Sequence, residues 1–67
     1  MNKFAERLKE LMKEMNLSQN KLSKETGISQ PQIARWLQKS TTPNIEFLII
    51  LAKYFKCSID YLVGLED

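Results

Sequence analysis

Residues 19–38 read QNKLSKETGISQPQIARWLQ, and this stretch decides the fold. Ser18, just ahead of it, is a good helix N-cap, because its hydroxyl can accept from a first-turn N–H that has no helical partner. The pattern predicts a helix over 19–26 with Leu22 and Thr26 turned inward. Gly27 ends it, since glycine tolerates the left-handed backbone needed to leave a helix sharply. Ser29-Gln30-Pro31-Gln32 then reads as a capping box, with Pro31 in the first turn where its missing N–H costs nothing. Ile33, Trp36 and Leu37 form the inner stripe of a second helix that ends near Gln38. Trp36 is therefore expected in the core. The turn Gly27-Ile28-Ser29 is so short that the two helices must cross steeply, with Ile28 placed to plug the gap between them.

Helical period continues on both sides. A first helix is expected over 3–15, with Phe4, Leu8, Leu11 and Met15 inward and Glu6, Lys9, Glu10, Lys13 and Glu14 solvated. Residues 39–43 are a loop. Asn44 caps a fourth helix over 45–55, whose inner face is expected to be Ile45, Leu48, Ile49, Ala52 and Phe55. Ser58 caps a short fifth helix over 59–63, stopped by Gly64. No strictly alternating run argues for a strand, so the expected fold is all-α, one compact five-helix domain over 1–67.

Composition closes several classes. The chain of 67 residues has one cysteine and no histidine, which rules out an internal disulfide and leaves no ligand set for structural zinc. The longest apolar run, 47–52, is far too short to span a bilayer, and the charged N-terminal stretch does not resemble a signal peptide. A cytoplasmic location is expected. The formal net charge of +2 is unevenly spread: +1 over 1–16, +3 over 17–43 and −2 over 44–67. The positive excess coincides with the two crossed helices, as a polyanion-binding surface would require.

The pattern Gln19-x-x-Leu22-Ser23-x-x-Thr26-Gly27-Ile28-Ser29-x-x-x-Ile33-x-x-Trp36 resembles the helix-turn-helix signature of the Cro/CI (XRE) family of phage and bacterial regulators. Pro43-Asn44-Ile45, residues 51–55 and residues 57–62 resemble that family's fourth and fifth helices, so the likeness runs through nearly the whole chain. Ser23 stands where the family usually has alanine, and a small hydroxyl should fit between the helices. The resemblance implies a lambda-repressor-like fold. It also implies a transcriptional regulator, in the first instance a repressor, whose third helix enters the major groove of double-stranded DNA.

Residue reading and resemblance converge on the same face. At 100° per residue, Pro31, Ala34, Arg35 and Gln38 point away from the Ile33/Trp36/Leu37 stripe, with Gln30 and Gln32 on the exposed first turn. Glutamine can bond an adenine edge twice and arginine a guanine edge twice. The resemblance implies base contacts at Gln30, Pro31 and Arg35, with Pro31 offering only an apolar surface to a thymine methyl, and Gln32 is expected on a base or a phosphate. Gln19, by resemblance and by its place at a helix N-terminus, is expected on a phosphate, as are Gln38, Lys39, Ser40 and Thr41 after the reading helix.

The fourth helix carries a second apolar side, Phe47, Ile50 and Tyr54. A helix apolar all round needs cover on both sides. A homodimer contact through Phe47, Ile50 and Tyr54 with Leu65 is therefore expected, reading two half-sites of a pseudo-palindrome about 34 Å apart. No metal, cofactor, membrane or small-molecule ligand is expected. An enzyme is disfavoured: there is no phosphate-binding glycine loop and no acid/base pair, and Cys57 has no partner to activate it, so it reads as a small core residue. The alternative function is an antitoxin-like or other protein-interaction module on the same fold.

Overall fold

A computed structural model describes residues 3–66. Among them are five α-helices: α1 (Phe4–Glu14), α2 (Gln19–Thr26), α3 (Gln30–Leu37), α4 (Ile45–Phe55) and α5 (Ile59–Val63). Each cap read from the sequence has its hydrogen bond. Ser18, Ser29, Asn44 and Ser58 accept from the N–H of Lys21, Gln32, Phe47 and Tyr61, at 3.0, 3.4, 3.0 and 2.9 Å. The box at Ser29 is only half closed. Gln32 Oε1 accepts from Arg35 Nη2 at 3.2 Å instead of reaching back to the cap.

Four helix ends curl back through a left-handed residue. Leu17, Ser40, Cys57 and Leu65 each donate to the carbonyl five residues earlier, at Met12, Arg35, Ala52 and Asp60. The left-handed residues are Asn16, Lys39, Lys56 and Gly64, so only one of these four turns uses glycine. At Gly64 the reason is double: φ is +90°, and an added Cβ would lie 3.0 Å from Lys3 Cβ. Helix α2 leaves differently, through Gly27 at φ 79°. Thr26 Oγ1 donates to the Leu22 carbonyl and accepts from the Ile28 N–H, which satisfies the turn's backbone while Ile28 itself is buried.

The core is Phe4, Leu8, Met12, Leu22, Ile28, Ile33, Trp36, Leu51 and Leu62. Trp36 is its centre and is fully buried, with Phe4 and Phe47 edge-on at 5.6 and 5.4 Å between ring centroids. Helix α1 packs on α3 and α5, α2 on α3 and α4, and α4 on α5. Lys3 N–H donates to the Val63 carbonyl at 3.2 Å and the Arg7 guanidinium lies 4.3 Å from the centre of the Tyr61 ring, so the two ends of the described chain meet.

Two inner faces differ from expectation. In α1, Met12 and Ala5 are buried while Met15 is half exposed. Met15 has the right angle on the helix but is its C-cap, past the last helical residue, and Leu17 packs against the core instead. In α4 the face is rotated. Leu51 is fully buried, and Phe47, Leu48, Ala52, Tyr54 and Phe55 pack around it. Ile45 and Ile49, expected inside, are 58% and 41% exposed. Helical period could not choose between two apolar sides. The Trp36 ring, reached by Phe47, and Glu25, which accepts from the Tyr54 hydroxyl, select the inner one.

Candidate nucleic-acid interface

The outward face of α3 is set by the burial of Ile33 and Trp36 on its other side. Gln30, Pro31, Arg35 and Gln38 are exposed, and Gln32 and Ala34 are half-buried. The face carries no acid. Two hydrogen bonds hold its polar groups. Gln30 Nε2 donates to Asn20 Oδ1 at 2.9 Å, tying the first residue of α3 to the second of α2, and Arg35 Nη2 donates to Gln32 Oε1 at 3.2 Å. Asn20 carries no signal of this role in the sequence. No local pattern marks it, because its partner is ten residues away and the steep crossing of α2 and α3 brings them together.

Gln19 opens α2 and is exposed. Beyond α3, Gln38, Lys39, Ser40 and Thr41 are exposed as well. Their backbone is less available than the sequence suggests: the N–H groups of Gln38, Lys39 and Ser40 donate to the carbonyls of Ala34, Trp36 and Arg35. Side chains are what this turn can offer an anion. Lys39 takes a φ of 63° there, an unfavourable conformation for a residue with a Cβ. The same loop lines a cavity of about 310 Å³ together with Phe4, Ala5, Glu6 and Trp36.

Two of the residues expected at a dimer contact pack inward in the single chain. Phe47 and Tyr54 are partly buried against the core of their own chain. Tyr54 also donates to Glu25 and sets its ring edge-on to Phe55 at 5.1 Å. Ile50 and Leu65 do remain exposed, at 38% and 77%. Once α4 is rotated, its outward arc reads Ile45, Ile49, Lys53, Glu46, Ile50 in angular order. Cys57 is half-buried against the core, and burial, with the Glu66 carboxylate nearby, pushes its thiol up from the ordinary value. A raised thiol pKa means a less nucleophilic sulfur at neutral pH.

The helix-turn-helix family model HTH_3 matches residues 8–62. The chain belongs to the helix-turn-helix family, of the Cro/CI (XRE) type. It is similar to the HTH-type transcriptional regulator YobD of Bacillus subtilis (strain 168), 31% identical across 96% of this chain and 57% of that protein. It is 38% identical to the repressor protein C2 of Salmonella phage P22 across 90% of this chain and 28% of C2. With the HTH-type transcriptional activator BcrR of Enterococcus faecalis the identity is 33%, over 96% and 31% of the two chains. A crystal structure of a transcriptional regulator from Listeria innocua superposes on all of this chain and 63% of its own, with a TM-score of 0.89 at 37% identity. The chain thus spans from about a quarter to little more than half of these curated relatives. It carries the DNA-binding fold of transcriptional regulators, a family of binding proteins and not of enzymes. No helix among the described residues is long and apolar enough to cross a membrane.

Proposed function

We propose that residues 1–67 act as one sequence-specific reader of double-stranded DNA, with α3 in the major groove of a pseudo-palindromic operator. The observation that carries this reading is the outward face of α3, exposed, free of acids and with its amide and guanidinium groups already held by neighbours. Gln30 and Arg35 read base edges, Pro31 and Gln32 complete the contact, and Gln19, Gln38, Lys39, Ser40 and Thr41 anchor phosphates on either side. Base contacts supply the sequence information, and phosphate contacts supply register and affinity. Repression is the simplest consequence, since an occupied operator blocks its promoter with no further activity from the protein. A cytoplasmic location goes with this reading.

Site selection from random duplex DNA tests it. The wild type should enrich one motif, Arg35→Ala and Gln30→Ala should each relax a different position of it, and affinity should fall steeply with salt. No enriched motif from the wild type, or variants that leave the motif unchanged, would refute the assignment.

A homodimer supplies the two-fold that a pseudo-palindrome needs. The surface that favours it is the outward arc of α4, where Ile45, Ile49 and Ile50 flank Glu46 and Lys53, together with Leu65. Across a two-fold axis, Glu46 of one copy can meet Lys53 of the other while the isoleucines close around them. Sedimentation should show self-association that Ile49→Glu abolishes. A wild type that stays monomeric at high concentration, with and without operator DNA, would sink the dimer.

A further inference from the structure

The cavity of about 310 Å³ beside the loop after α3 has no part in base reading. Its volume lies at the lower end of those that hold small molecules, about 300–1,000 Å³. Trp36 lines it, and the indole N–H of Trp36 is buried with no hydrogen-bond partner among the described residues. A buried donor left unmet is a cost that an incoming acceptor removes. Phe4, Ala5 and Glu6 line the cavity too. They are the first three residues of α1, and Lys3 ahead of them makes no side-chain cap bond. The N–H groups of a first turn and the helix dipole favour an anion there. The lining also holds a pair of unlike charges, Lys39 and Glu6, and neither belongs to an ion pair among the described residues.

We propose that this cavity binds a small apolar α-amino acid, which acts as an effector of DNA binding. The carboxylate takes the donors: Lys39 Nζ, the first turn of α1 and the Trp36 indole N–H. The ammonium pairs with the Glu6 carboxylate, and the side chain lies against Phe4, Ala5 and the Trp36 ring. A plain carboxylic acid would set a second negative charge beside Glu6, and a plain amine a second positive charge beside Lys39. No short motif marks such a site, because its groups come from two stretches that only the packing of α1 on α3 brings together. The site stands whether or not α3 meets DNA. Its effect on DNA rests on Lys39, Ser40 and Thr41, which line the same cavity and are the anchors assigned to phosphates. A carboxylate on Lys39 competes with phosphate for that charge, so amino acid and DNA weaken each other's binding by the same factor.

Trp36 is the only tryptophan, so a single indole N–H resonance reports on the cavity. The labelled chain is titrated with L-valine, L-leucine, L-methionine and L-phenylalanine, then with the deaminated and the decarboxylated analogue of whichever binds most tightly. At least one amino acid should shift the indole resonance saturably, with a Kd of about 1 mM or tighter. Each analogue should bind at least about tenfold more weakly. Glu6→Gln should erase the advantage over the deaminated analogue, and Lys39→Gln the advantage over the decarboxylated one. Both positions are exposed, so the fold survives. A saturating amino acid should weaken wild-type binding to duplex DNA about fivefold or more. No saturable shift from any of the four overturns the site. Analogues that bind as tightly as the amino acid, or charge variants that keep the wild-type preference, overturn the ligand class. A bound amino acid that leaves DNA affinity unchanged overturns its role as an effector. If Lys39→Gln leaves DNA binding at wild-type strength, Lys39 is no phosphate anchor and the effector role falls with it.

Discussion

Lys39 and Lys56 make the clearest pair of single residues. Both occupy the left-handed region, at φ 63° and 59°, where a Cβ is unfavourable. Both end a helix, and both carry one positive charge. Replacing either with glycine removes the strain at the expense of a more flexible unfolded chain, for a net gain of about 0.5–1 kcal/mol. In a domain of this size that raises Tm by about 2–8 °C. DNA affinity separates the two. Lys39→Gly should bind more weakly to every sequence and lower the salt slope by about one, whereas Lys56→Gly should bind as wild type. Equal loss of affinity in the two variants would mean that only net charge matters at Lys39. Trp36 shows a different kind of compromise. Its indole N–H is buried with no acceptor among the described residues, a cost accepted where a large flat ring must fill the space between Phe4 and Phe47.

At the scale of the element, α4 is the case where pattern and packing part. Its ends were legible in the residues: Asn44 caps one, and Ile45–Phe55 is the helix observed. Its inner face was not, because apolar side chains circle it and any stripe drawn through them satisfies a 3.6-residue period. The tertiary assignment has a direct check in thermal or chemical unfolding. Leu51→Ala should cost about 2–5 kcal/mol as a core truncation, and Ile49→Ala about 0.5 kcal/mol or less. Comparable losses would mean that the face is wrongly assigned. The shorter helices were easier to read, because the large apolar residues of α2 and of α3 fall on a single side.

For the whole molecule, the bond from the Tyr54 hydroxyl to Glu25 links α4 to α2 over 29 positions of sequence. That bond and the nearby carboxylate raise the Tyr54 pKa above its ordinary value of 10.0. The folded chain therefore holds the phenolic proton more tightly than the unfolded chain does. The contribution is fully present below pH 10 and is lost as pH rises through the higher folded value. Unfolding measured from neutral to strongly alkaline pH should show wild type losing its advantage over Tyr54→Phe above pH 10. A constant difference between the two across that range would mean the bond does not form in solution. The exposed arc of α4 belongs to this scale too, since only the rotated helix shows that Ile45 and Ile49 stand beside Ile50 at the surface.

Local chemistry written into short stretches of sequence determined where every helix begins and ends, the three-residue turn between α2 and α3, and which side of α3 faces out. Caps, glycines and a single apolar stripe act within four or five residues, so they can be read without knowing the rest of the chain. Tertiary structure decided what depends on distant partners: that Met12 and not Met15 is buried, that Phe47 and Tyr54 turn inward, and that Asn20 holds Gln30. Each of these is a choice between locally equivalent arrangements, and only the packing of one helix against another makes them unequal.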